Sequence, residues 1–401
     1  MNGKRGGFNA LLPTMRAIDQ SPDLLLQVVL TDMHLSKQFG HTLDYAKRFI
    51  DISKTVPLNQ AGDTQIDRIH ALSRGLAGIA DAFNELKPDI VLLLGDRSET
   101  LIAAFAAVQL KIPVAHIQGG EVSGNLDEIH RHAITKLSHI HFTETELARR
   151  RVLELGEEIW RVHRVGAPYI DFINLRLYTP KEEVRKKFNM GSDENFILVL
   201  QHPVTTEPEK SNAHMKEILA AVKETGLKAI VVYPCSDPGY QGIIDAIEEE
   251  KNNPEISIYK NIPAEDFIGL QAAASVFVGN SSAGVYEAPY LKCPFVNVGR
   301  RQIKRERENN SIDVSPTKES IAAGIHKALH DESFRKSLET VSFVYGDGTA
   351  YRSIVNVLRK IPLGRRLFEK RLTYMSTRRR LYNRYIKRYV DLLRRLKPSR
   401  K

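Results

Sequence analysis

The sequence predicts an α/β protein built from two Rossmann-like, doubly wound domains that face a cleft. Short apolar runs of strand length alternate with longer segments of helical period, which is the pattern of parallel sheets covered by helices. The strands fall into two sets separated by polar residues 178–194, and a chain of 401 residues is too long for one compact core. We therefore expect ligands at the carboxyl ends of both sheets, where such folds bind them.

Apolar runs mark the predicted strands. They cover residues 25–31, 89–95, 112–117, 160–166, 195–201, 227–233, 275–279 and 293–299. Helical period appears in residues 66–86 and 98–110. The predicted organisation is a first domain at 1–177, a second at 178–345, a closing helix at 346–361 and a basic amphipathic tail at 362–401.

The net charge of +10 comes from this tail. Residues 362–401 contain fifteen Lys and Arg against Glu369 and Asp391, a net of +13, and +10 less +13 leaves −3 for residues 1–361. A slightly acidic body argues against a general nucleic-acid-binding protein. Residues 376–396 place apolar side chains among Arg and Lys at roughly helical spacing. We expect a helix that lies on an anionic membrane surface, binds a partner or packs on the body, and we expect removal of 365–401 to leave catalysis nearly intact.

Composition also excludes several protein classes. The sequence has no run of about eighteen or more apolar residues, which a membrane span needs. Its first residues lack the apolar core of a signal peptide. Two cysteines, Cys235 and Cys293, argue against a disulfide framework and a Cys-rich metal site. These features predict a cytoplasmic enzyme.

Polar and charged residues follow the predicted strands in the pattern of a concave active site. Each residue also has a purely structural explanation. Asp96 could cap a helix, and Gly119 with Gly120 could form a turn. Arg131 could pair with Glu128 on a helix surface. Together they favour a site at the cleft. The set comprises Asp96, Arg97, Glu99, His116, Gly119, Gly120, Glu121, Asp127, Glu128, Arg131, His132, His202, Thr205 and Asp237.

Residues 277–289, FVGNSSAGVYEAP, place small polar residues where a strand gives way to a helix. Asn and Ser at this position can cap the first turn of the helix. The same free N–H groups can also bind an anion. The stretch alone does not decide between the two.

Several longer motifs resemble one enzyme family. The motifs are LLLGDRSE, HIQGGEVSGNLDEIHRHAITKLSHIHF, QHPVTTE, GNSSAGVYEAP, VNVGRRQ and YGDGTA. They resemble, in family order and over roughly residues 1–360, the hydrolysing UDP-N-acetylglucosamine 2-epimerases of sialic-acid biosynthesis. The resemblance implies the two-domain GT-B fold. It also implies conversion of UDP-GlcNAc and water to free N-acetylmannosamine (ManNAc) and UDP, without NAD or another cofactor and without a required metal.

The resemblance also implies roles for individual residues. The base removes the C2 proton while UDP leaves C1, and water then adds to the 2-acetamidoglucal intermediate. We expect Glu121 and Asp96 near C2 and His202 at the phosphate or the leaving oxygen, although neighbouring carboxylates titrate together. The implied catalytic residues are Asp96, Glu121, Glu128 and His202. The implied nucleotide and substrate contacts are Ser281 and Ser282 at the phosphates, Glu287 at the ribose, and Arg5, Arg131 and Arg301.

The chain departs from the family pattern at its start and at Cys235, within a YPN-type motif of the relatives. It begins almost at the Gly-rich loop of residues 3–8, so the family's first strand is missing, either because the start is truncated or misassigned or because the first sheet has lost a central strand. Cys235 stands where relatives have Asn, which puts a polar contact there in doubt.

Other functions remain open at this stage. They are a GT-B glycosyltransferase, a binding-only regulator, a non-hydrolysing 2-epimerase, and the same chemistry on GDP-GlcNAc or on a UDP-linked 2,4-diacetamido-trideoxy sugar. The expected partners are a nucleotide sugar and further copies of the chain, as a dimer or tetramer, and no specific nucleic acid.

Overall fold

A computed structural model describes residues 1–373, except residues 4, 38–39, 124–125, 303, 341 and 343 and the side chain of Arg5. Within these residues the chain forms two α/β units with parallel sheets. The strands are β1 (Val29–Thr31), β2 (Lys54–Val56), β3 (Val91–Leu94), β4 (Val114–Ile117), β5 (Ile140–Thr143), β6 (Val162–Arg164), β7 (Phe196–Leu200), β8 (Lys228–Val232), β9 (Ile256–Tyr259), β10 (Val276–Gly279), β11 (Phe295–Val298) and β12 (Ser311–Val314).

Helices connect the strands and cover the sheets. They are α1 (Arg5–Asp19), α2 (Leu43–Lys47), α3 (Gln65–Leu86), α4 (Ser98–Gln109), α5 (Leu126–Leu137), α6 (Glu146–Glu154), α7 (Pro168–Asn174), α8 (Lys181–Lys187), α9 (Ser211–Glu224), α10 (Tyr240–Glu248), α11 (Ala264–Ala273), α12 (Ala283–Tyr286), α13 (Lys318–His330), α14 (Glu332–Ser337), α15 (Ala350–Lys360) and α16 (Arg365–Phe368).

The first unit contains two groups of parallel strands joined by the first residues of the chain. Strands β3 to β6 form one group in sequence order, and β1 pairs with β2. Between the groups, the backbone N–H of Asn2 donates to Val29 O at 3.0 Å, and the Met1 nitrogen donates to Leu92 O at 3.0 Å. Residues 1–3 therefore lie where the sequence predicts that a central strand is missing.

The second unit is a six-stranded parallel sheet in the order β12-β11-β10-β7-β8-β9. Its inner strand β7 has the sequence FILVL, and all five residues are buried. Burial on both faces requires an almost wholly apolar strand, which is why the sequence shows a continuous apolar run here. The predicted fold class, α/β with two Rossmann-like units, is confirmed.

Helix α15 returns the chain from the second unit to the first, where it packs against α1 and α7. Asp171 on α7 accepts the backbone N–H groups of Ala350 and Tyr351 at 2.8 and 2.6 Å, which satisfies donors of the first turn of α15. This helix lies within the segment predicted to close the fold.

Residues 364–373 pack on the first unit, at the amino ends of its strands. The buried guanidinium of Arg161 donates to the carbonyls of Leu367 at 2.7 Å and Glu369 at 2.9 Å, and the Leu367 side chain is buried. Lys370 pairs with Glu157 at 2.7 Å and donates to Lys136 O at 3.0 Å. These contacts place residues 364–373, which the sequence analysis assigns to the tail, against the first unit.

The predicted amphipathic helix of 376–396 lies outside the described residues. Within residues 1–373, as described, no helix combines the length and the apolar character that crossing a membrane requires.

We predict that the last residues of the body contribute measurably to stability. A chain that ends after Leu363 is expected to unfold more easily than one that ends after Thr373, by at least about 2 kcal/mol, because Leu367 loses its burial and Arg161 its acceptors. Urea unfolding of the two truncated proteins gives this difference. In the full chain, Arg161→Ala should destabilise in the same direction, whereas Arg150→Ala, an exposed control on α6, should not. Equal unfolding midpoints for the two truncations contradict the assignment.

Candidate active site

Two adjoining cavities lie in the cleft between the units. The larger spans about 910 Å³, including space open to solvent, at the carboxyl ends of β7, β8 and β10. Its walls are mainly apolar, with Leu200, Val232 and Phe267 among them, and Glu287 supplies a carboxylate. We name it the apolar cavity. An apolar wall with one carboxylate suits a flat ring joined to a group with hydroxyls.

The smaller cavity, of about 480 Å³, lies at the carboxyl ends of β3 and β4 and is polar. The first unit contributes Asp96 and Gln118 to its wall, and the second contributes Arg301 and Arg305. We name it the polar cavity. Ser282 lines both cavities. A ligand with two parts can therefore occupy both cavities, with the link between its parts next to Ser282.

The end of β10 packs closely against the end of β7, and these contacts fix the position of His202. Gly279 has φ +139°, and a Cβ there would lie 2.1 Å from Leu200 O, so a larger residue does not fit. The Asn280 side chain accepts the His202 N–H at 2.8 Å and donates to His202 O at 2.9 Å. The His202 Nδ1 accepts the N–H of Cys235 at 3.1 Å. His202 is therefore fixed on the wall of the apolar cavity.

The Ser-Ser segment begins a helix of only one turn, α12. Ser281 Oγ accepts the N–H of Ala283 at 3.3 Å, but the N-cap residue of α12 is Ser282, whose side chain makes no capping hydrogen bond. A single turn supplies little helix dipole, because the dipole grows with aligned peptide units. The anion-binding capacity of this segment therefore rests on hydroxyl and N–H groups, with Arg301 nearby at the polar cavity.

Asp96 lies on the wall of the polar cavity between two guanidinium groups. Arg131, which is fully buried on α5, forms an ion pair with its carboxylate, and Arg305 Nη2 lies 3.8 Å from the same oxygen. Arg131 also donates to Glu121 O at 2.9 Å. Two positive neighbours favour the charged carboxylate, which is the form that can accept a proton.

The other two predicted catalytic carboxylates do not line either cavity. Glu121 is completely buried, and its pKa is raised to about 7 by burial, against the opposing charge of Arg305. Glu128 accepts the N–H of Ser123 at 2.9 Å and lies 3.7 Å from His132 Nε2. The structure thus brings Asp96, His202, Ser281, Ser282, Glu287 and Arg301 to the cavities, and holds Glu121, Glu128 and Arg131 behind or beside them.

The Arg5 side chain lies outside the described part of the structure. Gln118, Tyr169 and Arg305 are among the cavity residues that were not selected from the sequence. Gln118 follows β4 directly, at a strand end, which is the signal that could have found it. Arg305 lies in a loop of alternating charges, where the sequence does not distinguish a buried Arg from a solvated one.

A buried ion network ties the two units together beside the polar cavity. Arg97 pairs with Asp237 of the second unit at 2.7 Å, with Glu99 at 2.7 Å and with Asp32 at 3.4 Å. Arg68 pairs with Asp32 at 3.2 Å. The pKa of Asp237 lies well below its usual range. Burial alone would raise this pKa, but the positive charge of Arg97 and the smaller effects of other neighbouring groups together outweigh the effect of burial.

Cys235, the departure from the family pattern, lies on the wall of the apolar cavity and is buried. Its thiol contacts the Asp237 carboxylate at 2.9 Å. Burial and the Asp237 charge raise the pKa of this thiol to about 12. Across the described residues no group of three or more His, Cys, Asp or Glu is arranged to hold a metal ion.

Comparison with known proteins identifies the family. The sequence family described as UDP-N-acetylglucosamine 2-epimerase matches residues 16–359, and the chain belongs to it. A Legionella pneumophila protein named UDP-N,N'-diacetylbacillosamine 2-epimerase (hydrolyzing) is 34% identical over 92% of this chain and 97% of its own. A protein of Neisseria meningitidis named UDP-N-acetylglucosamine 2-epimerase is 31% identical over 82% of this chain and 86% of its own. A structure of UDP-GlcNAc 2-epimerase from Neisseria meningitidis bound to UDP-GlcNAc matches with a TM-score of 0.76 and 19% identity, over 90% of this chain and 98% of that one.

We predict that Arg97 is essential to the closed arrangement of the two units. Arg97→Ala leaves Glu99 and Asp237 buried without this partner, so the free energy of unfolding should fall by about 3–5 kcal/mol. Arg307→Ala is the matched control, because Arg307 pairs with Asp313 in a more exposed position and should contribute less than about 1 kcal/mol. Urea unfolding measures both. Equal losses in the two variants contradict the role given to Arg97.

Proposed function

We propose that the protein is a hydrolysing 2-epimerase of a UDP-linked 2-acetamido sugar, and that it releases UDP and the free 2-epimeric sugar. UDP-GlcNAc, which gives ManNAc, is the first candidate substrate. The observation that carries the proposal is the pair of cavities that meet at Ser282. The apolar cavity suits the nucleoside, the polar cavity suits the sugar, and the diphosphate lies between them.

The nucleotide is bound by three kinds of group. Apolar side chains of the second unit contact the base, and the Glu287 carboxylate accepts hydrogen bonds from the two ribose hydroxyls. Ser281, Ser282 and Arg301 contact the phosphates, where charge develops when UDP leaves. His202 adds a donor, since its Nδ1 accepts the Cys235 N–H and the neutral ring then carries its proton on Nε2.

Asp96 is the proposed base at C2. It is the predicted catalytic carboxylate on the wall of the polar cavity, and Arg131 and Arg305 favour its charged form. Its carboxylate takes the C2 proton while the C1–O bond to the diphosphate breaks, and the bond electrons leave with UDP. Water then adds at C1 of 2-acetamidoglucal, and C2 is protonated on the opposite face.

A second candidate substrate is a UDP-linked 2,4-diacetamido-trideoxy sugar. The name of the Legionella relative, which matches 92% of this chain, favours it. The two candidates differ at C4 and C6 of the sugar and share the reacting atoms at C1 and C2. Assay of the purified protein with UDP-GlcNAc, GDP-GlcNAc and the UDP-diacetamido sugar distinguishes them by the ratio of kcat/KM.

The products test the reaction type. With the preferred nucleotide sugar in D₂O, we expect UDP and a free 2-epimeric sugar that carries deuterium at C2, because the abstracted proton exchanges before the second face is protonated. NMR of the reaction mixture detects both. An exclusively UDP-linked product excludes the hydrolysing reaction, and a free sugar that retains its original C2 hydrogen excludes elimination.

Binding of UDP alone separates the nucleotide site from the base. Glu287→Ala is expected to weaken UDP binding by roughly 10- to 100-fold, the loss of a charge-assisted hydrogen bond. Asp96→Asn is expected to leave UDP affinity about unchanged and to lower kcat by about 10²–10⁴-fold. Calorimetric titration with UDP measures the affinities. If both variants bind UDP as the unchanged protein does, Glu287 does not hold the ribose.

A further inference from the structure

A short segment of the first unit reaches across to the second unit beside the apolar cavity. It comprises residues 40–49, which contain α2, and we name it the crossing segment. Gly40 packs so closely on Asn261, a residue of the cavity wall, that a Cβ at residue 40 would lie 2.8 Å from the Asn261 Cβ. Five residues further on, the Tyr45 hydroxyl donates to Glu265 Oε2 at 2.5 Å. The segment therefore meets the second unit at two points.

The hydrogen bond of Tyr45 joins elements that form opposite walls of the apolar cavity. Its acceptor, Glu265, lies on α11 between Ala264 and Phe267, and both of these residues line the cavity. From the first unit, the buried Asn9 of α1 lines the same cavity, and its side-chain oxygen lies 3.2 Å from the Tyr45 hydroxyl. Tyr45 thus connects the wall contributed by α1 to the wall contributed by α11.

Tyr45 holds Glu265 more firmly than the other partner of that carboxylate does. A hydrogen bond to a charged acceptor is about twice as strong as one between neutral groups. Burial and the hydrogen bond to Glu265 raise the pKa of Tyr45, so the hydroxyl keeps its proton and donates it. Arg48 also pairs with Glu265, but at 3.8 Å and with a side chain that is 61% exposed, so this ion pair contributes less.

We propose that Tyr45 is a positioning residue for the nucleotide, and that its hydrogen bond to Glu265 holds the two walls of the apolar cavity at the separation that fits a nucleoside. The inference rests on the proposed function, because that function places the nucleoside of the substrate in this cavity. Walls that are already in place need less ordering when the ligand binds, which strengthens binding.

This role affects binding rather than chemistry. Tyr45 lines neither cavity, and its contacts lie beside the apolar cavity, whereas the proposed base Asp96 lies on the wall of the polar cavity. The nucleoside keeps the same contacts before and during the reaction. Loss of the hydrogen bond should therefore weaken the bound substrate and the transition state equally, which raises KM and leaves kcat unchanged.

The variant Tyr45→Phe tests the proposal, because it removes the hydroxyl and keeps the ring, whose centre lies 5.0 Å from that of Phe49. We expect the Kd for UDP and the KM for the nucleotide sugar to rise by about tenfold, with kcat about unchanged. Tyr290→Phe is the matched control, because the Tyr290 hydroxyl donates to Gly346 O at 2.8 Å and Tyr290 lines neither cavity. Calorimetric titration with UDP and steady-state kinetics measure both variants.

A double-mutant cycle tests whether Tyr45 acts through Glu265. Glu265→Ala removes the acceptor and should weaken UDP binding about as much as Tyr45→Phe does. The double variant should bind UDP no more weakly than either single variant, because all three lack the same hydrogen bond. Losses that multiply in the double variant overturn the proposal. So does a Tyr45→Phe protein that binds UDP as the unchanged protein does, or one whose loss is confined to kcat.

Titration with UDP needs no turnover, so it separates this inference from the proposed function. Weaker UDP binding in Tyr45→Phe, with no nucleotide sugar consumed by the unchanged protein, supports the role of Tyr45 and rejects the epimerase reaction. Weaker UDP binding in Glu287→Ala but not in Tyr45→Phe rejects the role of Tyr45 and leaves the nucleotide site in place. An unchanged protein that does not bind UDP contradicts both.

Discussion

Ion pairs that cross between the two units determine the shape of the cleft. Arg97 of the first unit reaches Asp237 of the second at 2.7 Å, while Arg301 and Arg305 of the second reach Asp127 and Asp96 of the first at 3.6 and 3.8 Å. All of these side chains are mostly buried, so loss of a partner across the cleft leaves a buried charge less well compensated. Asp96, Arg97, Arg301 and Arg305 of these pairs line the polar cavity.

The same contacts explain why the site needs both sheets. A parallel sheet presents its polar loops at the carboxyl ends of its strands, and here two such edges face each other. The first contributes carboxylates and the amide of Gln118, whereas the second contributes hydroxyls, Glu287 and two arginines. Neither edge alone offers both the proposed base and the proposed site for a diphosphate.

Much of this was predictable from the sequence, for reasons that differ between strands. Strands β7, β8, β10 and β11 are buried on both faces and show as apolar runs, so they were predicted within two residues. Strands β2 and β12 are short and partly exposed, and β5 contains a buried His141, so no apolar run marks them. The carboxylates after the strands were predicted too. What the sequence could not show is which side chains turn toward the cavity, because Glu121 and Gln118 stand three residues apart and only the fold separates them.

The packing of residues 364–373 has a consequence for where the rest of the chain is attached. Thr373 bonds to Gly156 O at 2.9 Å, at the amino ends of the first sheet, whereas the cleft lies at the carboxyl ends. Thr373, the point where residues 374–401 are attached, therefore lies at the opposite edge of the first sheet from the cleft.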